Sequence, residues 1–256
     1  MIHILLSRWR QGHRTMAYPK TLPALPERFR GRPEFDPGAC AEGCRACRDA
    51  CPTGAIELAP LRLDLGRCLF CTECVDACQD DVLRFTGDHR LAARGREDLV
   101  QEAGAQPRLA EALGKELMRV LGRSLKLRVV SAGGCNGCEV DVNVLGTPAW
   151  DMGRFGIQFV ASPRHADGLI ICGPVTANMA LALRKTYDAV PEPRIVIAVG
   201  ACAISGGPYL HQAEQLGGAA AAGIPVDLFI PGCPPHPLTI LDGLLRLLGK
   251  LPPESK

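Results

Sequence analysis

Aromatic residues make up only 5% of this 256-residue chain, so its cores must be built from aliphatic side chains. Net charge is small as well: 29 Lys and Arg against 27 Asp and Glu leave +2. Global electrostatics therefore selects no partner, and no nucleic-acid partner is expected. No run supplies the ~20 continuous apolar residues of a bilayer-crossing helix. The longest uncharged stretch, residues 195 to 213, is interrupted by Gly200, Gly206, Gly207 and Pro208. The opening "MIHILLSRWR" has too short an apolar run, and no small-residue cleavage site, to serve as a secretory signal. A dinucleotide fingerprint is missing too. "SAGGCNGCE" lacks the G-x-G-x-x-G order and places thiols at the phosphate position, so no flavin or nicotinamide site is expected.

What the chain has in excess is cysteine. There are 13, and without a secretory signal clustered cysteines point to metal binding rather than disulfides. The length suits roughly two domains. Eight cysteines lie between residues 40 and 78 and five between 135 and 233. Residues 1 to 32 carry seven Arg or Lys against one acid, Glu27. That arm reads either as a docking element for an acidic membrane surface or partner subunit, or as a solvated extended tail.

Beyond residue 125, short apolar runs end at Gly- or Pro-rich turns: "LKLRVVS", "IQFVAS", "DGLIICG", "RIVIAVG" and "VDLFIPG". They alternate with helical stretches such as "TANMALALRKTYDAV" and "PPHPLTILDGLLRLLG". Strands alternating with helices predict a doubly wound parallel sheet covered on both faces. "EVDVNVL" at 139 to 145 alternates like a strand where that architecture needs a helix. Upstream, "RLAEALGKELMRVLG" places Leu109, Leu113, Leu117, Val120 and Leu121 on one helical face, which predicts a connecting helix.

The first cysteine run is Cys40, Cys44, Cys47 and Cys51; the second is Cys68, Cys71, Cys74 and Cys78. The second has the C-x2-C-x2-C-x3-C spacing of bacterial ferredoxins, in which three close thiolates grip one [4Fe–4S] cube and the fourth ligates the other. Applied here, Cys40, Cys44, Cys47 and Cys78 hold one cluster, and Cys68, Cys71, Cys74 and Cys51 a second. A single run would also suit zinc, but two interlocking runs favour clusters. Short apolar segments, "GAIEL" and "DVLRF", follow the two runs like an internal repeat. Two departures stand out: the Cys40–Cys44 gap is one residue longer, and Gln79 replaces the usual proline.

In a doubly wound sheet, ligands bind past the carboxyl ends of the strands. Cys135 and Cys138 follow "LRVVS", Cys202 follows "RIVIAVG" and Cys233 follows "VDLFI", so all four reach one sheet edge and make a third cluster site. Cys172 is left over and reads as a small buried residue. Gly133, Gly134, Gly137 and Gly200 are expected to let backbone approach the cluster, and Pro234 and Pro235 to stiffen the Cys233 loop. No residue of this chain is expected to be catalytic. Glu139, beside Cys138, is a candidate for proton coupling or, more simply, a cap for the following helix. His165 and His236 read as hydrogen-bonding loop residues rather than ligands.

"GGCNGCE", "SPRHAD", "GPVT", "GACAISGG" and "PGCPP" together resemble the small electron-transfer subunit of membrane-bound, energy-converting [NiFe] hydrogenases of the formate hydrogenlyase type, which is homologous to the complex I 20 kDa subunit. The resemblance spans about residues 125 to 248. The segment before it, including "YPKTLPALPERFRGRPEF", is similar to the subunit of the same complexes that carries two ferredoxin-type clusters, so the chain resembles a fusion of the two. The implied plan is a docking arm (1–36), a two-cluster ferredoxin-like α+β domain (37–90), a linker with a helix (91–124) and a flavodoxin-like domain (125–256). The resemblance further implies three [4Fe–4S] clusters and a peripheral place on the cytoplasmic face of the membrane. The implied partners are a [NiFe] hydrogenase-type large subunit, a complex I-like membrane subunit and an external electron donor or acceptor protein. C-N-G-C, rather than adjacent cysteines, favours the hydrogenase branch over a nickel-free complex I-like enzyme. A free-standing multi-cluster carrier is the alternative from another class.

Overall fold

The computed structural model describes residues 2–251 apart from 13, 37, 39, 79–81, 106, 122 and 123; the departure noted at Gln79 lies outside the described residues. In chain order the first elements are α1 (Ile2–Gln11), β1 (Pro33–Phe35), α2 (Ala46–Asp49), β2 (Ile56–Leu58), β3 (Leu61–Asp64), α3 (Glu73–Asp76), β4 (Leu83–Phe85) and β5 (Val100–Glu102). They continue with α4 (Lys115–Leu121), β6 (Leu125–Ser131), α5 (Gly137–Val144), β7 (Ile157–Phe159), β8 (Gly168–Cys172) and α6 (Ala177–Asp188). The last are β9 (Ile195–Val199), α7 (Ala201–Ser205), β10 (Leu228–Ile230) and α8 (Pro237–Leu247).

All five strands expected after residue 125 form, and they pair in parallel in the order β10-β9-β8-β6-β7. Numbered from β6 this is 2-1-3-4-5, the flavodoxin-like order, with its switch point between β6 and β8. β8 and β9 are buried along their whole length, as strands covered on both faces must be. Alternate side chains feed opposite cores. Ile170, Ile195, Ile197 and Val199 join Leu241 and Leu244 of α8, while Leu169, Ile171 and Val196 join Leu183 of α6.

The ambiguous 139–145 segment is helical in α5. Its buried residues, Glu139, Val142 and Leu145, recur every three positions and face the sheet. Tertiary packing overrides the strand-like alternation of its valines. The connecting helix is shorter than its periodicity suggests. Only Lys115–Leu121 is helical, and Val120, expected on the apolar face, is 57% exposed. The reason lies in the residues before it: Ala110 N–H donates to the Ala92 carbonyl and Leu113 N–H to the Leu247 carbonyl, so those donors serve other segments instead of a helix.

The cysteine-rich N-terminal part is not strung loosely ahead of the sheet. β1 and β4 form one small antiparallel sheet; β2, β3 and β5 form another. Leu63, Leu65 and Leu99 share one core with Ala198, Ala203, Ile204 and Phe229 of the parallel-sheet region. Ala93 exchanges both backbone hydrogen bonds with Phe229 along the outer edge of β10. The Arg96 guanidinium donates to both oxygens of Asp64 at 2.8 and 2.6 Å, and Ser205 of α7 donates to the Gly66 carbonyl.

The basic arm divides in two. No residue of α1 is buried, and Ile2, Ile4, Leu5 and Trp9 stand exposed beside Arg8 and Arg10. From Thr15 onward the arm lies against the sheet region: Met16 N–H donates to the Ala149 carbonyl, and the buried Tyr18 hydroxyl donates to Asp242 Oδ1 at 2.8 Å. Asp242 of α8 also accepts from Arg246 Nε at 2.8 Å. Burial, and then the Asp242 charge, push the Tyr18 phenol above its usual range. Removing a carboxylate that serves two buried partners costs on the order of 3 kcal/mol. Asp242→Ala should therefore lose about 3 kcal/mol in urea unfolding followed by circular dichroism; a loss below about 1 kcal/mol would contradict this role.

Candidate metal centre

The site grows out of four short helices, α2, α3, α5 and α7, and the ends of β6 and β10. Cys47 sits on α2 and Cys74 on α3; Cys51 and Cys78 follow just past the two helix ends, and in each pair the two sulfurs line different cavities. Cys40, Cys44, Cys47 and Cys78 line one cavity of about 230 Å³, walled by Phe35, Leu58, Leu61 and Leu83. Burial raises the Cys47 thiol above its ordinary pKa, and the neighbouring sulfurs of Cys78, Cys40 and Cys44 add to the rise.

Cys51, Cys68, Cys71 and Cys74 line a second and much tighter pocket. Phe70 and Thr72 take left-handed backbone conformations, φ +54° and +74°, which curl the chain around this pocket. The curl aims the Phe70 N–H at the Cys68 sulfur, 3.3 Å away, and the Ala55 N–H lies 3.2 Å from the Cys51 sulfur. Burial pushes Cys68 up to about 12 and Cys74 up to about 11, with the neighbouring sulfurs adding in each case.

At the carboxyl edge of the parallel sheet, Cys135 and Cys138 follow β6, Cys202 starts α7 after β9, and Cys233 follows β10. Burial pushes Cys202 up to about 12, reinforced by Cys233 and Cys135. Cys138 is raised by burial and then by Cys202, Glu139, Cys233 and Cys135. Cys138, Cys202 and Cys233 thus each sense other sulfurs of the set, from as far as 98 residues away along the chain (135 to 233). Cys233 also senses Cys71, and both line a third cavity of about 630 Å³, so this set adjoins the second.

Among the described residues, no group of three or more His, Cys, Asp or Glu side chains could hold a single metal ion. All twelve sulfurs are described, so none of the three sets is gathered as a mononuclear tetrahedral site would be. All-sulfur donor sets, backbone N–H groups aimed at sulfur and apolar walls suit an iron–sulfur group.

The glycines divide. At Gly200, φ +90°, a Cβ would run into the Cys138 sulfur, so glycine is required there. Gly137 borders the Cys135 sulfur and Pro234, each 3.6–3.7 Å from an added Cβ. Gly133 and Gly134 instead face Thr176 and Gly173 on the loop after β8. They pack one sheet-edge loop against another. Gly207, missed in the sequence, borders a sulfur: an added Cβ would lie 2.9 Å from Cys202 Sγ. The "GG" after "CAIS" was the available signal.

Glu139 does not cap α5; its carboxylate accepts from the Ser131 hydroxyl at 2.6 Å and is 6% exposed. Cys172 is fully buried in the sheet core. His165 lies in an exposed turn, and His236 caps α8 by accepting from the Leu238 N–H at Nδ1.

The fold and these sulfurs define a class: a flavodoxin-like parallel-sheet protein with a thiol set at its switch-point edge, joined to a cysteine-rich unit. Residues 135–247 match the family described as the 20 kDa subunit of NADH ubiquinone oxidoreductase. The chain is 40% identical over 148 residues to a probable membrane-bound hydrogenase subunit of Pyrococcus furiosus, covering 55% of this chain and 88% of that protein. It is 42% identical over 135 residues to formate hydrogenlyase subunit 7 of Escherichia coli, covering 53% of this chain and 52% of that one. It is also 42% identical over 119 residues to an NADH-quinone oxidoreductase subunit of Bacteroides thetaiotaomicron, covering 46% of this chain and 60% of that one. The chain belongs to the 20 kDa subunit family. The family span holds Cys135, Cys138, Cys202 and Cys233, whereas the eight N-terminal cysteines lie outside it.

Left-handed φ alone costs an alanine about 1–2 kcal/mol. Gly104, φ +76° with nothing within 4 Å of an added Cβ, carries a positive-φ cost without a contact, whereas Gly200 adds both a ψ of 156°, a region kept to glycine, and the Cys138 contact. Gly200→Ala should lose at least about 1 kcal/mol more than Gly104→Ala in thermal unfolding of the full chain. Equal losses would show that Cys138 does not press on residue 200.

Proposed function

We propose that this chain is the electron-transfer subunit of a membrane-bound [NiFe] hydrogenase, relaying electrons between a partner large subunit and an external donor or acceptor protein through three [4Fe–4S] clusters. The observation that carries the proposal is the grouping of twelve cysteines into three sets of four, two of them adjoining through Cys71 and Cys233. Bound on these sulfurs, such clusters supply one-electron transfer.

This chain's own groups do the rest. Cys135, Cys138, Cys202 and Cys233 present sulfur at the open sheet edge, where a large subunit meets it. Cys51, Cys68, Cys71 and Cys74 hold the middle position, with the Ala55 and Phe70 N–H groups stabilising extra negative charge on the sulfurs. Cys40 and Cys44 are exposed, which makes their set the exit toward a soluble partner. Glu139, buried beside Cys138 and within reach of the Ser131 hydroxyl, is positioned to exchange a proton when charge changes on the adjacent sulfurs.

The arm supports a peripheral membrane location on the cytoplasmic face. No described helix is long and apolar enough to cross a membrane, yet α1 carries exposed Ile2, Ile4, Leu5 and Trp9 next to arginines, the make-up of an interfacial helix or of one seated on a membrane subunit.

The similarity to an NADH-quinone oxidoreductase component supports a second reading, a nickel-free complex I-like enzyme. C-N-G-C at residues 135–138 favours the first. Native complex purified anaerobically through this chain should contain stoichiometric nickel and reduce a dye with hydrogen. Intact iron–sulfur signals without nickel or hydrogen activity would transfer the assignment to the complex I-like enzyme.

A further inference from the structure

Four consecutive residues of the arm, Phe29 to Arg32, touch the Cys233 turn, the Cys68–Cys71 loop and the backbone after β4. The Phe29 ring meets His236 edge-on, centroids 5.2 Å apart, and His236 follows the Cys233-Pro-Pro turn directly. Arg30 donates from a guanidinium nitrogen to the Phe70 carbonyl at 2.7 Å, and Phe70 lies between Cys68 and Cys71. Gly31 N–H donates to the Thr86 carbonyl and Arg32 N–H to the Asp88 carbonyl, both at 2.8 Å, fixing the arm on the backbone after β4. Gly31 leaves no room for a Cβ against the Asp88 carbonyl, so this crossing is a close backbone approach.

Phe29, Arg30, Phe70, Cys71, Cys233 and His236 line one cavity of about 630 Å³, the space between the second and third cysteine sets. Arg28 and Asp141 line it too. Arg30 is the cation bonded to the loop that carries Cys68 and Cys71. That loop holds two left-handed non-glycine residues, Phe70 and Thr72, a conformation that needs outside support.

We infer that Arg30 is a positioning residue for electron transfer: with Phe29 it clasps the Cys68–Cys71 loop to the Cys233 turn, and its charge sets the potential of the group held by Cys51, Cys68, Cys71 and Cys74. The inference rests on the cluster reading given above. A fixed positive charge favours the reduced, more negative form, so it raises the reduction potential locally. Its effect falls with distance and screening, so the remote Cys40 set is unaffected.

The test is a redox titration, followed by electron paramagnetic resonance, of the full chain and of its Arg30→Met and Arg30→Lys variants, each with iron and sulfide analysis. Arg30→Met should lower the midpoint of one cluster, leave the cluster on the Cys40 set unshifted and weaken the magnetic interaction between the other two. Arg30→Lys, which keeps the charge, should recover most of the midpoint. Unchanged midpoints in the Met variant with iron retained would overturn the inference and leave the cluster reading intact. Equal shifts in the Met and Lys variants, or equal loss of iron in both, would reduce Arg30 to a structural residue and overturn it as well. An unsubstituted chain without iron and sulfide would remove the cluster reading, and the inference with it.

Discussion

The arrangement depends on the parallel register of β6, β8, β9 and β10. Parallel pairing points every strand the same way, so each of their carboxyl ends opens at one edge of the sheet. Cys135, Cys138, Cys202 and Cys233 then need no long-range loops to meet, only the first residues past three strands. A single antiparallel strand among β6, β9 and β10 would send one sulfur to the opposite edge, about the length of a five-residue strand away. The glycines where the chain leaves a strand follow from the same constraint. Backbone crowds where strands end together, which is why Gly200 abuts the Cys138 sulfur and Gly134 abuts Gly173.

A second constraint fixes the cysteine-rich unit on that edge. The two parts of the chain are held together by an apolar core shared across the junction, the Arg96–Asp64 ion pair and the Ala93–Phe229 backbone exchange; the proposed electron transfer between separate groups needs such a fixed distance. The ion pair is partly buried and bidentate, so it adds orientation as well as energy. On the far side, Tyr18 and Arg246 converge on Asp242, which anchors the arm to α8. The arm thereby closes over the junction and brings Phe29 and Arg30 between the two cysteine loops.

Much of this was legible in the sequence because it is written in short-range patterns. Apolar runs ending at Gly- or Pro-rich turns marked all five parallel strands, and the eight N-terminal cysteines, expected as two interlocking sets, lie along two separate cavities. Other features were not legible, for reasons that can be named. α5 alternates like a strand, and only the sheet behind Val142 and Leu145 makes it a helix. Residues 108–114 read as helix, but the N–H groups of Ala110 and Leu113 are claimed by the Ala92 and Leu247 carbonyls. Glu139 reads as a cap because it follows the helix start; its bond to Ser131 depends on two elements being side by side. Arg30, one of seven cations in a basic arm, carries no local signal at all.

Twelve cysteines in three four-sulfur sites, as we propose, fix the metal content of the chain. Iron and acid-labile sulfide per chain, measured with Mössbauer spectra on protein purified without oxygen, are the decisive quantities. Three cubes predict about 12 iron and about 12 sulfide per chain, with every iron in a tetrahedral sulfur environment. Zinc in place of iron, or iron and sulfide for a single cluster in protein whose thiols are otherwise free, would contradict the proposal.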